Sequence, residues 1–214
     1  VVPERYDHDR TSLYQLMEAR WPGIASAHRI DRDTSGLVLW VKHADAARWM
    51  GRVWDQGDIE KDYLALVEGR PGQSTMRCEL PLLVDGDKLH RTVVHQKRGA
   101  EARTDFTVLE SFGRWHLLSC RLHTGKTHQI RAHAAALGMP LAGDTLYGGR
   151  PLLLSSFKKG YRPKEGDEKA LIDRPALHAS RLAFDAPSGA RIDMSAPLPA
   201  DMELALKMLR KYAS

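Results

Sequence analysis

Apolar and polar residues alternate with a period of two over several stretches of this chain, which predicts strands at 61–68 (KDYLALVE), 102–110 (ARTDFTVLE) and 115–122 (WHLLSCRL). LHASRLAFDA (177–186) and ARIDMSA (190–196) predict two more. The run LVLWVK (37–42) is apolar, of strand length, and follows the polar turn HRIDRDTSG (28–36). Helical spacing appears in Thr11–Arg20, with Thr11 or Ser12 as cap, and in residues 44–54. The Ala-rich HQIRAHAAALG ends at Gly138, a helix stop, and a last helix starts near Ala200. Residues 155–174 are polar and turn-rich and read as an exposed loop. Strands outnumber helices and several are near neighbours in sequence. The expected class is therefore α+β, with a mixed, largely antiparallel sheet flanked by helices and loops. No internal repeat or low-complexity tract divides residues 1–214, so one structural unit is expected.

Composition narrows the function only slightly. Apolar residues make up 43% and charged residues 28% of the 214, as in an ordinary folded domain. The net charge of +5 suits a polyanionic partner such as nucleic acid, and equally a solvated basic face. Cys78 and Cys120 lack zinc-site spacing and are too few for a disulfide framework, so they read as reduced thiols of a cytosolic protein. No run approaches the ~20 apolar residues of a membrane span, and VVPERYDHDR does not have the composition of a signal peptide. The expected compartment is the cytoplasm.

Three motifs fail on their own chemistry. Asp31–Gly36 (DRDTSG) copies the opening of an EF-hand loop, but the twelfth position, which needs a bidentate acid, is Lys42. Gly125-Lys126-Thr127 resembles the end of a P-loop, but Cys120 stands where the first glycine is required. His128 and His133 are five residues apart, which on a helix leaves them roughly 140° apart. Helical zinc pairs use a four-residue step, so His123, His128 and His133 read as hydrogen-bonding or phosphate-contacting histidines.

Asp31 remains. It lies between Arg29 and Arg32, immediately before an apolar run, and neighbouring cations favour its ionised form. Such a carboxylate is either a nucleophile or a loop cap in a surface ion pair, and the local sequence leaves both open.

HRIDRDTSGLVL (28–39) resembles the HRLDxxTSGLLL signature of the RluA-type pseudouridine synthases. KDYLALVEG (61–69) is similar to that family's K-x-Y-x-A-L-V-x-G strand. RLHTGKTHQIRAHAAALGMPLAGDTLYGG (121–149) is similar to its R-L-x-T-G-R-T-H-Q-I-R-x-H block, continuing through G-D-x-x-Y-G. Weaker likeness in 102–110 and 177–189 extends the match over nearly the whole chain. The resemblance implies the pseudouridine synthase fold, with a central RNA-binding cleft. It gives Asp31 the place of the catalytic aspartate, Tyr63 that of the tyrosine packing on uracil, and Arg131 that of the arginine pairing with the aspartate. Arg29 corresponds to a residue that fills the gap left by a flipped base, His28 to a part of the RNA-facing loop, and Leu122 to the wall beside the uracil.

Ile30, Lys126 and Ala186 depart from the family pattern without removing a catalytic group. The family's opening strand, ending in Lys-Pro, is expected upstream of Val1, and no S4-type RNA-binding domain precedes the catalytic part. Backbone contacts to RNA are expected from Arg29, Arg32 and Lys126, and from a loop cluster of Lys158, Lys159, Arg162 and Lys164. That cluster equally fits a solvated surface run.

The implied reaction moves the ribose–uracil bond from N1 to C5. It needs neither metal nor other cofactor, takes rRNA or tRNA as partner, and fits a monomer. Two rivals are a catalytically silent RNA-binding module on the same fold and a phosphate-ester enzyme with an aspartate nucleophile. The second would want magnesium and further acidic ligands, and Asp33 is the only nearby acid.

Overall fold

The computed structural model describes residues 11–163 and 168–213. Lys164 and the N-terminal decapeptide lie outside the described residues. The first helix, α1 (Leu13–Arg20), starts where the sequence placed it, because Ser12 and Gln15 exchange side-chain and backbone hydrogen bonds in a capping box. Short strands β1 (Ala25–Ser26), β2 (Ser35–Gly36) and β3 (Trp40–Val41) follow, then α2 (Ala44–Gln56) and β4 (Glu60–Glu68). Next come β5 (Thr75–Cys78), β6 (Leu82–Leu83), β7 (Val93–Val94), β8 (Thr104–Phe112) and β9 (Trp115–Leu122). The chain continues through α3 (Gln129–Ala136), single turns at Thr145–Tyr147 and Leu154–Ser156, β10 (Leu177–Asp185), β11 (Arg191–Ser195) and α4 (Ala200–Tyr212).

The main sheet runs β11-β10-β4-β9-β8-β5, with every neighbouring pair antiparallel, and β2 adds to β10 in parallel. This is the mixed, largely antiparallel α+β architecture expected from the sequence. Period-two alternation gives each strand two different faces. Ala65, Val67, Leu118 and Cys120 pack beneath α3, with Ile130 and Ala134 of that helix. Leu66 and Leu117 point the other way, to Met202, Leu206 and Leu209 of α4. Leu182 and Phe184 support α2 through Met50 and Val53. Helices α2 and α3 thus share one face of the sheet and leave a cleft between them.

Two expectations need correction. The run 37–42 is not one strand: Leu37 N–H donates to Ala179 of the main sheet, whereas Trp40–Val41 pairs with β1 in a separate ribbon. Its leucines are apolar because both pack in the cluster beneath α2, which holds the chain as it changes partners. The segment 155–174 is not simply an exposed loop. Ile172 is fully buried and bridges Leu152, and Phe157 and Leu171 pack against the α4 cluster.

Candidate active site

The polar turn 28–36 opens into the cleft and is pinned from several sides. The His28 ring stacks on Trp54 at 4.8 Å, and its Nε2 accepts the Leu39 N–H at 3.0 Å. Burial lowers the His28 pKa to about 4, so the ring is neutral, as an acceptor must be. Arg174 supports the other end of the turn. Its guanidinium is held by Asp201 at 2.8 and 3.0 Å and donates to the Asp33 carbonyl at 3.1 Å and Ser35 Oγ at 3.3 Å. Gly36 lies so close to β10 that a Cβ there would sit 2.1 Å from the Ala179 carbonyl oxygen, and its φ is +109°. Only glycine allows that parallel pairing.

Asp31 lies at the centre of this turn, a hundred residues in sequence from its nearest cation. Arg131 Nη1 is 3.5 Å from Asp31 Oδ2, and His128 Nε2 is 3.8 Å from the same oxygen. Among the described residues no hydrogen bond falls on Oδ1. The bidentate partner of Arg131 is Asp144, at 2.7 and 2.8 Å, and the Asp144 side chain is only 1% exposed. The pairing expected between Arg131 and Asp31 is therefore present as a single long contact. The fork–fork geometry belongs to Asp144, whose carboxylate is presented in the plane of the guanidinium. Burial opposes the charge on Arg131, but Asp144 outweighs it and the pKa lies above the ordinary value. The Tyr147 ring stacks on the same guanidinium at 4.9 Å.

Two hollows meet at Asp31. One, of about 230 Å³, is walled by Tyr63, Leu122, Ile130 and Leu177, with Lys61 and Lys126 at its edge. Burial, and after it the charge of Asp31, pushes the Tyr63 pKa up to about 12, so its hydroxyl stays protonated at neutral pH. Lys61 is on the same face of β4 as Tyr63. Its ammonium lies 5.4 Å over the Trp54 ring, and burial lowers its pKa. The second hollow, of about 490 Å³, is bordered by Arg29, Arg32, Arg131 and Arg174 and by the carboxylates of Asp31, Asp33, Asp144 and Asp173. A slot of mixed apolar and polar lining thus adjoins a trough of arginines paired with aspartates, and Asp31 borders both.

The fold brings Asp31, Tyr63, Arg131, His28, Arg29, Leu122 and Lys126 to these two hollows, and Arg32, in contact with Asp33 at 3.7 Å, to the second. Neither hollow is lined by Lys158, Lys159 or Arg162; Lys158 stacks instead on Tyr161 and Tyr212, on the α4 side. The three histidines do not converge. His123 pairs with Asp105, His133 bonds Thr104 and the Leu80 carbonyl, and among the described residues no cluster could hold a metal ion. Asp144, Tyr147, Lys61 and the role of Trp54 were not found from the sequence. The only signal for Asp144 and Tyr147 was their place in the G-D-x-x-Y-G stretch.

A family model described as RNA pseudouridylate synthase matches residues 3–136. A protein of Chloroflexus aurantiacus described as an uncharacterized RNA pseudouridine synthase is 36% identical over 100% of this chain and 65% of its own length. The ribosomal large subunit pseudouridine synthase D of Nitrosomonas europaea is 36% identical over 92% of this chain and 54% of its own. The chain spans less than two thirds of these curated relatives. Among solved structures, human RNA pseudouridylate synthase domain containing 1 superposes with a TM-score of 0.68 at 24% identity, covering 93% of this chain and 85% of that one, which shows the shared fold. With the family model covering more than half of the sequence and relatives at this identity, the chain belongs to the RNA pseudouridylate synthase family, in its RluA-type branch.

Proposed function

We propose that this chain isomerises specific uridines of structured rRNA or tRNA to pseudouridine, with Asp31 as the nucleophile. The observation that carries the reading is the asymmetry of the Asp31 carboxylate. Its Oδ2 lies toward Arg131 and His128, its Oδ1 accepts no hydrogen bond among the described residues, and the residue borders a slot walled in part by Tyr63, Leu122, Ile130 and Leu177. In the reaction the C1′–N1 bond breaks, the uracil turns, and a C1′–C5 bond forms. C5 loses a proton and N1 gains one, so the sum is an isomerisation with no redox change or hydrolysis.

Groups around Asp31 support each step of this reading. Lifting the uridine out of its stack costs a few kcal/mol, about 1–3 of which a base stacked on Tyr63 returns. Arg29, exposed between the two hollows, is placed to fill the gap left in the RNA. Arg29, Arg32 and Lys126, which border the hollows, receive the backbone. Asp31 then attacks C1′ of the ribose or C6 of the base, or removes a proton in an elimination. Arg131 and Arg29 keep that carboxylate in a positive surrounding throughout. Tyr63, protonated in the free protein, is an acid or hydrogen-bond donor first, and becomes a base for C5–H only if its own proton has been passed on. The reading requires RNA as partner and no cofactor. It also takes residues 1–214 as one catalytic unit that acts as a monomer in the cytoplasm. Among the described residues no helix is long and apolar enough to cross a membrane.

The test is release of tritium from C5-labelled uridine in total rRNA and tRNA, with EDTA present, comparing the chain with Asp31→Ala. Release by the unaltered chain, lowered on the order of 10⁴-fold or more by the substitution, is the expected result. Binding of labelled RNA with no release by the unaltered chain would replace this reading with the silent RNA-binding module.

A further inference from the structure

His128 stands where the chain enters α3, with φ of +53°, a left-handed conformation that a residue with a Cβ adopts only when its surroundings enforce it. Thr92, 1% exposed, supplies much of that enforcement: its Oγ1 donates to the carbonyl of Thr127, the residue before His128, at 2.7 Å. The Thr92 backbone N–H donates to the Tyr147 hydroxyl at 2.9 Å. That hydroxyl lies 3.1 Å from His128 Nδ1, with the two rings edge to face at 5.6 Å. The other ring nitrogen, Nε2, faces Asp31 Oδ2 at 3.8 Å. His128 borders both hollows.

These contacts favour one place for the imidazole proton. A backbone N–H can only donate, so the Tyr147 oxygen is already an acceptor and its own proton is free to point at Nδ1. Nδ1 is then the lone-pair nitrogen, and in a neutral ring the proton is on Nε2. The opposite tautomer would turn a lone pair toward the carboxylate and leave the Tyr147 proton without the ring as acceptor. Burial lowers the His128 pKa, against the pull of Asp31, which keeps the ring neutral. Asp31, Arg131, Asp144, Arg29 and Tyr147 are the charged and titratable groups around it.

We propose that His128 is a positioning residue for Asp31, presenting a neutral Nε2–H to Oδ2, with its tautomer set by Tyr147 and Thr92. A neutral donor orients the carboxylate and leaves its charge in place, whereas an imidazolium would quench it in an ion pair. The 3.8 Å separation is a long contact that closes when a base fills the slot, as catalytic hydrogen bonds of free enzymes commonly do. The rate consequence rests on the pseudouridine reading above; the tautomer does not.

The experiment is nitrogen-15 NMR of the whole chain with labelled histidine, His128 assigned through His128→Gln. A neutral ring with Nε2 protonated is expected, and Tyr147→Phe should turn it toward a mixture of tautomers. An imidazolium at neutral pH, a proton on Nδ1, or a tautomer unmoved by Tyr147→Phe would overturn the proposal. In single-turnover tritium release His128→Ala is expected to lose about 10- to 100-fold, the usual loss for a partner that orients a reacting group. His128→Gln, whose amide N–H₂ occupies the place of Nε2, should recover most of it at an equal melting temperature. If the unaltered chain releases tritium and His128→Ala releases it equally fast, the positioning role is wrong. If the unaltered chain releases none while the spectrum is as expected, the fault lies with the reaction and the tautomer assignment stands.

Discussion

The two faces of the sheet carry the same residue types and use them in opposite ways. On the face away from the cleft, Asp62 accepts from Arg121 at 2.7 and 2.8 Å and from Arg181 at 2.9 Å. Asp193 accepts two bonds from Arg181 at 2.8 and 2.7 Å, and Glu60 pairs with both Arg181 and Arg191. Burial works against Asp62, but its two arginines prevail and its pKa falls below the ordinary value. In the cleft, the fork of Arg131 is saturated by Asp144, and among the described residues the Asp31 carboxylate has long contacts, at 3.5 and 3.8 Å. A carboxylate with its lone pairs filled at short range is scaffold. One surrounded by cations but filled by none is available for chemistry. Charge count does not separate the two faces; saturation does.

The contrast breaks most sharply at Arg131. Lysine keeps the charge but cannot fork onto Asp144 while reaching Asp31. Arg131→Lys should therefore slow single-turnover tritium release by about 10² to 10³-fold. The melting temperature should fall with it, since Asp144 becomes an underpaired buried charge. Turnover within a few-fold of the unaltered chain would show that the shared guanidinium is dispensable. Tyr63→Phe keeps the stacking surface and removes only the hydroxyl. Glycosidic cleavage should persist while release from C5 slows about 10²-fold, seen by quenching the reaction and separating cleaved from isomerised nucleoside. Equal rates for both would rule the hydroxyl out.

A smaller effect concerns the loop. The folded pKa of His28, about 4, lies below the ordinary 6.5, so between those values the unfolded chain binds a proton that the folded chain refuses. Stability is full above pH 6.5 and drops as pH falls through that window. Urea midpoints at pH 7 and 4.5 should differ less in His28→Gln than in the unaltered chain. The smallest effect belongs to the ladder: Arg191→Ala should move the melting temperature by about 2 °C or less and leave tritium release unchanged. A large loss of activity there would mean that the saturated face also serves the reaction.

The long strands and the last helix were legible because each is a single run of eight to thirteen residues, long enough to show its period even where β8 and β10 shift register. The stretch 37–42 was misread because burial by α2 makes residues apolar whether or not they form a ladder. Phe157, Leu171 and Ile172 were invisible among charges because they come from different turns and no period links them. In the site, local sequence left Asp31 open between a nucleophile and a loop cap. Its company with Tyr63 and Arg131 came from motif likeness alone, since those three lie on separate elements. Asp144 could not be assigned as the bidentate partner of Arg131, because a Gly-Asp turn looks the same whether its carboxylate faces water or a guanidinium. His128 was equally hidden: its use depends on a left-handed turn that residue type does not announce.

Beyond the local hold of His28 on Trp54 and Leu39, the turn that carries Asp31 is fastened by residues far downstream. Arg131 follows Asp31 by 100 positions, Arg174 follows Asp33 by 141, and Arg174 is itself anchored by Asp201. During synthesis Asp31 emerges before its guanidinium partner, the β10 edge that receives Gly36 and the α4 anchor. A growing chain therefore carries this aspartate before the contacts that hold it exist.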